Sequence, residues 1–374
     1  MASRLPERPP GTGCYHDASL PVNRLASNQS RRPRTARASF SAAFFLLLLA
    51  LLGPAGCRRG GSSKSGGEVG YVSVPQVTLR DRVAAVYAKV GIVKNGERVE
   101  ILEKARNERY VRVRSPRGEV GWMESRYLAG PEVFHAFTQL ATDNAAAPVQ
   151  AQATMRHAAN LHVEPSRDSE HLYLLDENTK VQLLRRQAAQ KPVTPGPAVA
   201  TPAPAGKPIP PPSMEDWWLL RDAQGHVGWV LARMVDEDVP LEVAQYAEGR
   251  RIVAFFVLNQ VADGGKQVPQ FLLLLTDPKD GLPFDFNQVR VFTWNPRKQR
   301  YETAYRQSRL SGLLPARVGQ EDFGGREGKL PVFFLRLEDS QGQVAEHKFK
   351  MNTVVVREVL APGESRPKSR RKAK

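Results

Sequence analysis

The chain has 374 residues, room for two or three domains, and 41% of them are hydrophobic, enough for ordinary globular cores. The formal charge of +16 is unevenly placed: residues 1–56 hold seven Arg against two acids and residues 364–374 hold six bases against one acid, which leaves +6 for the large middle. Cys14 and Cys57 both precede the first folded segment, so the body is excluded from disulfide, thiolate-metal and cysteine-nucleophile chemistry.

In chain order, residues 1–56 read as an address. Arg31-Arg-Pro-Arg34-Thr-Ala-Arg37 precedes the apolar run Phe40–Leu52, the order of a secretory signal peptide with a long basic n-region. The run is shorter than the roughly 20 residues a spanning helix needs. Gly53-Pro54-Ala55-Gly56-Cys57 follows, and small residues directly before a cysteine resemble the lipobox of bacterial lipoproteins, although Pro54 stands where that family usually has leucine. The resemblance implies a diacylglyceryl group on the Cys57 sulfur, cleavage before Cys57 and acylation of its new amino group. Membrane lipid is then a partner through the acylated Cys57, since two or more chains anchor stably where one does not. Residues 57–68 form the lipidated cysteine and a Gly/Ser tether. Arg58 replaces the aspartate that often retains such proteins at the inner membrane, which points to the bacterial cell envelope, lipid-anchored on the outer membrane and facing the periplasm.

Residues 69–130 carry short alternating strands separated by turn signals. Val99-Glu-Ile101 and Tyr110-Val-Arg-Val-Arg114 alternate, Ser115-Pro-Arg-Gly118 turns, and Gly121-Trp122-Met123 closes the module. Residues 131–154 are a linker, with a short helix over 133–140 and an Ala-rich stretch from Ala145 to Ala153. Residues 155–239 repeat the module: Trp218-Leu-Leu-Arg, then Gly225, then Gly228-Trp229-Val230, follow the order of Tyr110 to Met123. An insertion at 187–213, rich in Pro and Ala, cannot pair in a sheet and should project as a disordered or polyproline loop. Matching Tyr110 to Trp218 leaves Trp217 on the opposite strand face, so one of the two indoles is a candidate for exposure. Gly118, Gly121, Gly225 and Gly228 read as turn or bulge positions.

Residues 240–361 change composition. The apolar runs 251–258 and 270–276 have buried-strand length, and Val289–Trp294 with Tyr301–Tyr305, and Val332–Leu337 with Val344–Phe349, read as hairpins. The fold class is therefore all-β: two small barrels in tandem followed by an antiparallel β domain. Residues 362–374 form a basic disordered tail.

The two repeated segments resemble the bacterial SH3 domain, an SH3-like barrel of envelope proteins, with residues 110–123 carrying its late signature and Ala159-Asn160-Leu161 its early one. The resemblance implies binding of peptidoglycan peptide or an envelope protein, and no nucleic acid is expected because the envelope location keeps the protein away from it. Candidate ligand-binding residues are the aromatics Tyr87, Trp122, Tyr127, Trp217, Trp218 and Trp229, which combine contact area with a polar handle. No metal or cofactor is expected: His157 and His162 lack a third ligand nearby, and no Gly-x-Ser-x-Gly elbow or phosphate loop is present. The chain reads as a binding protein without catalytic residues. The alternatives are a cell-wall hydrolase, with carboxylates from Asp277, Asp280, Asp285, Glu321 and Asp322 in the C-terminal β domain, or a structural subunit of an envelope complex.

Overall fold

The computed structural model describes residues 67–192 and 212–360. The signal peptide, Cys57, most of the tether, residues 193–211 of the insertion and the basic tail lie outside the described residues. The described chain is nearly all β, with antiparallel sheets.

The first sheet holds β1 (Glu68–Val72), β2 (Gln76–Arg80), β3 (Lys89–Lys94), β4 (Arg98–Lys104), β5 (Tyr110–Arg114), β6 (Val120–Glu124) and β7 (Leu128–Ala129) in the order β3-β2-β6-β5-β4-β1-β7. Period-two alternation sends Val77, Leu79, Val99, Val111, Val113 and Met123 inward, and with Val72 and Val93 they form a separate core. A helix, α1 (Pro131–Asp143), follows with Pro at its start and Val133 and Phe137, one turn apart, buried. It ends at Asn144, whose side chain donates to the Leu140 carbonyl at 2.8 Å.

The second sheet holds β8 (Ala151–Met155), β9 (Ala159–His162), β10 (His171–Leu175), β11 (Lys180–Gln190), β12 (Met214–Arg221), β13 (Val227–Leu231) and β14 (Val235–Glu237). Its order, β10-β9-β13-β12-β11-β8-β14, repeats the first sheet position for position. Three details differ from the sequence reading. β8 begins at Ala151, inside the stretch read as linker, because Ala151, Ala153 and Met155 supply a small inward face. Residues 187–190, assigned to the insertion, pair with Trp217 to Met214, so β11 and β12 run on as a long hairpin inside its expected bounds. The register places Trp217 opposite Leu231 as Tyr110 is opposite Glu124, two residues beyond the Gly-Trp tryptophan in each copy. Trp217, not Trp218, is therefore the counterpart of Tyr110.

The Gly-Trp glycines have a sharper cause than turn geometry. Gly118 and Gly225 do sit in turns, both at φ +89°. At Gly121 a Cβ would lie 2.8 Å from the Leu79 Cβ and 3.0 Å from the Arg80 carbonyl; at Gly228 it would lie 2.7 Å from the Leu161 Cβ. β6 crosses β2, and β13 crosses β9, too closely for any side chain. Each crossing keeps one registered pair, Arg80 with Trp122 and His162 with Trp229.

After α2 (Leu241–Ala244) the third sheet is a meander in sequence order: β15 (Arg251–Asp263), β16 (Lys266–Thr276), β17 (Phe286–Asn295), β18 (Arg300–Asp322), β19 (Lys329–Glu338), β20 (Val344–Asn352) and β21 (Val355–Val359). β18 pairs β17 with its first half and β19 with its second, shifting register between Leu313 and Arg317. One core runs from the second sheet (Leu161, Leu183, Trp218, Leu220) into the third (Val253, Leu272, Leu274, Phe333). Polar groups fix that junction. Gln150, fully buried, bonds both backbone groups of Ala316. Arg186 meets Asp216 at 2.7 Å and Asp285 at 3.2 Å with its side chain 2% exposed. The first barrel is attached more lightly: the Asn95 side chain donates to the Leu172 carbonyl and accepts from Leu174 N–H, and Tyr71 stacks on Phe134.

Candidate functional site

A groove of about 390 Å³ opens on the first barrel between β2, the β2–β3 loop, the end of β6 and the turn Ser125–Tyr127. Because Val77 and Leu79 point inward, Gln76, Thr78 and Arg80 are left to line it. Its two tyrosines, Tyr87 and Tyr127, both come from the sequence-predicted set.

The loop that presents Tyr87 is held closed at its neck. Asp81 N–H donates to the Ala88 carbonyl at 3.0 Å, and Ala88 N–H donates to Asp81 Oδ1 at 2.8 Å. Arg82 donates to Asp81 Oδ2, and this bond with that from Ala88 holds the Asp81 carboxyl below its ordinary range. Residues 83–88 beyond this neck are consecutively apolar and exposed. Tyr87 is 40% exposed, and the Arg80 guanidinium stacks over its ring at 4.2 Å. Arg80 has no hydrogen-bonding or carboxylate partner among the described residues.

The opposite side repeats the pairing. Arg126 lies 4.9 Å from the Tyr127 ring centroid and donates to the Tyr127 hydroxyl at 2.8 Å. Its Nε is 2.9 Å from Glu124 Oε2, while Arg109 approaches the same oxygen at 3.9 Å. Glu124 is only 8% exposed, lines the groove, and its Oε2 makes no well-directed hydrogen bond.

The equivalent place on the second barrel is a cavity of about 200 Å³ lined by Asn160, His162, Arg167, Trp217, Leu231 and Met234, among others. Register puts His162 where Arg80 stands, Leu231 where Glu124 stands and Met234 where Tyr127 stands. Arg167, from the β9–β10 loop, forks onto Glu215 of β12, with Arg233 beside it. Those bonds, from Arg167 first, hold Glu215 below its ordinary pKa. Burial lowers the His162 pKa and favours its neutral form. Arg167 thus straps its loop across the cavity.

The predicted aromatics do not form one site. Trp217, Trp218 and Trp229 are 2%, 1% and 3% exposed, which corrects the expectation that one indole of the pair is free. Trp218 faces the barrel core. Trp217 and Trp229 face a second cluster with Leu184, Leu219 and Val227, roofed by Leu140, Ala141, Ala147 and Val149 after α1 turns back over the strand. Arg221 fixes that roof by donating to the Asn144 and Ala145 carbonyls. Trp122 is half-buried and does not line the first groove. Sequence reasoning missed Arg80, Glu124 and Arg126. Alternation past Leu79 puts Arg80 on the outer face, but Glu124 is buried beside Met123 and Arg126 lies in the turn after β6, so neither had a local signal.

The proposed carboxylates are dispersed. Asp280 and Asp285 join through Arg251, Asp216 and Arg186, Asp277 pairs with Arg250, Glu321 pairs with Lys348, and Asp322 caps the Gly324 N–H. A larger cavity, about 670 Å³, lies between the β3–β4 turn and the second barrel and contains His226 on Asp222 at 2.7 Å. Asp222 also accepts the Gln224 and His226 N–H groups, as Ser115 accepts those of Arg117 and Glu119 in the first copy. It is therefore a turn residue in both places. No group of three His, Cys, Asp or Glu that could hold a metal occurs among the described residues.

The groove and its strand order define an SH3-like barrel. Residues 76–129 match the model of the bacterial SH3 domain, so this segment is such a domain. A search of curated proteins finds no match. Among solved structures, the chain is similar to NlpC2 from Trichomonas vaginalis, with 12% identity, TM-score 0.16, and coverage of 76% of this chain and 97% of that one. It is also similar to NlpC1 from the same organism, with 11% identity, TM-score 0.16 and coverage of 76% and 89%. A third structure is described as a novel NlpC/P60 endopeptidase from Photobacterium damselae subsp. piscicida, with 7% identity, TM-score 0.21 and coverage of 79% and 67%. The expectation of a chain without catalytic function is corrected here: the structures it is similar to include one described as an NlpC/P60 endopeptidase. No residue role is carried over from them.

Proposed function

We propose that this chain acts at the bacterial cell wall, and that the groove of its first barrel holds wall peptide or an envelope protein. The observation that carries the reading is the coincidence of the bacterial SH3 match at 76–129 with an open groove walled by Tyr87 and Tyr127. The repeated strand order supports reading residues 151–237 as a second copy of the same domain. Acylation at Cys57 would tether residues 68–374 to the membrane, with the outer membrane facing the periplasm as the expected site.

Residues 63–374 form one compact unit and are the piece to test. Incubated with purified sacculi, they should be retained at low and at high salt, because groove contacts survive screening that removes surface charge attraction. Retention lost with salt would assign the binding to the basic tail, and no retention at either salt would overturn the wall reading. The same supernatant should be analysed for released muropeptides; release makes the chain a wall hydrolase that uses the barrel to hold its substrate. Palmitate labelling of the full chain in a bacterial host, absent in Cys57→Ser, tests the anchor.

A further inference from the structure

We infer that the first groove is specific for a peptide bearing a free carboxylate, and that Arg80 is the residue that reads it. The inference rests on the wall-binding reading above and narrows its ligand.

Two guanidinium groups, of Arg109 and Arg126, approach the single groove carboxylate of Glu124, and a third, of Arg80, lines the same groove over Tyr87. The first two are already used. Arg126 is bound to Glu124 and to the Tyr127 hydroxyl, and Arg109 leans on Glu124. Arg80 is not used. It stacks on Tyr87, lines the groove, and has neither an acid nor a hydrogen-bond acceptor among the described residues. Stacking engages the flat face of a guanidinium and leaves its in-plane N–H groups free, and stacking also fixes their direction. A fixed, unpaired fork of donors in a partly enclosed groove matches a carboxylate, which accepts two parallel hydrogen bonds from it. A neutral peptide would leave that fork unsatisfied. Glu124 is too deep to serve as the partner and is already neutralised, so the groove keeps a net positive charge for an incoming anion.

The second barrel keeps an arginine, Arg233, where Arg126 stands, but lacks the groups that read a carboxylate. Its counterpart of Arg80 is His162, its counterpart of Tyr127 is Met234, and its loop arginine, Arg167, is consumed by Glu215. Carboxylate recognition should therefore reside in one barrel only.

The test is calorimetric titration of residues 63–374 with the synthetic peptide L-Ala-γ-D-Glu-L-Lys-D-Ala and with the same peptide amidated at both carboxylates. The free-carboxylate peptide should bind about tenfold more tightly or better, and Arg80→Gln should erase the difference. Arg80→Lys, which keeps the charge but not the fork, should restore part of it, and unchanged thermal unfolding of both variants excludes misfolding. Equal binding of the two peptides would overturn the carboxylate inference and leave wall binding standing. Tighter binding of poly(glycerol phosphate) than of either peptide would assign the fork to phosphate and overturn it as well. No binding of either peptide, together with no retention on sacculi, would remove the wall reading itself.

Discussion

The two barrels share a strand order and differ in what surrounds them. In the first, β5 buries one face: Val111 and Val113 point inward, and Arg112 and Arg114 point out. In the second, the matching strand β12 is buried on both faces, with Trp218 and Leu220 toward the barrel core and Trp217 and Leu219 under the segment after α1. The same topology therefore serves as an exposed module in one place and as a packed joint in the other. The groove of the exposed barrel is the larger, about 390 Å³ against about 200 Å³, and it carries two tyrosines. A repeat of fold is thus a poor guide to a repeat of site, because a site depends on the outward-facing positions that neighbours are free to cover.

The largest expected effect breaks the joint. Asp216 is fully buried with Arg186 and Arg251, and it also accepts the Gly281 N–H. Asp216→Ala would take the nearer of two carboxylates from the buried Arg186 guanidinium and leave it only Asp285 at 3.2 Å, which costs about 3 kcal/mol. Thermal unfolding should fall accordingly, with the transition of the second barrel and third sheet moving together because they share one core. Separate transitions for these two would show that the junction is not cooperative. Arg80-side substitutions should leave that transition in place. Gly121→Ala and Gly228→Ala should each lose about 1–3 kcal/mol through the forced approach to Leu79 and Leu161. A neutral result at either site would mean that the crossing relaxes and that the Gly-Trp motif has another cause.

Most of the fold was legible because strands announce themselves by alternation. Val77 and Leu79, Val111 and Val113, and the apolar runs of β15 and β16 each gave their strand directly. The errors came where alternation carried no contrast. Ala151-Gln-Ala153 is too small and bland to read as a strand, yet it pairs beside β11 and turns both alanines into the core. Tyr110 and Trp218 looked alike as aromatics, but the count from the Gly-Trp tryptophan, not the ring, sets the register. The site was half legible. Tyr87 and Tyr127 could be named from residue type, while Arg80 and Glu124 depend on which strand ends converge across the barrel, a long-range fact absent from any local window.

A pH experiment sharpens the contrast between barrels. Glu237, half-buried at the end of β14, lines a cavity with Trp218, Arg251 and Asp280 at the joint. Burial pushes its pKa up from 4.5 to about 7, against the smaller opposing pull of the Glu237 backbone N–H and Arg251. Between those values the folded chain holds more protons than the unfolded chain. Stability from this group is therefore full below about pH 4.5 and is lost as pH rises through about 7, by about 3 kcal/mol. Glu237→Gln should flatten that part of the stability profile measured by urea unfolding. An unchanged slope would place the titration elsewhere.

The smallest effect on stability is expected where the effect on function is greatest. Tyr87 is exposed on a loop whose closure depends on Asp81, Arg82 and Ala88, not on the ring. Tyr87→Ala should change unfolding by about 0.5 kcal/mol or less, yet it removes the surface on which Arg80 is oriented. Retention on sacculi should drop about tenfold. Trp217→Ala should do the reverse, costing about 3–5 kcal/mol of stability while leaving the affinity of the surviving folded fraction unchanged. If Trp217→Ala weakened binding in folded protein and Tyr87→Ala did not, the working groove would be the strapped one on the second barrel, and the comparison drawn between the two would have to be inverted.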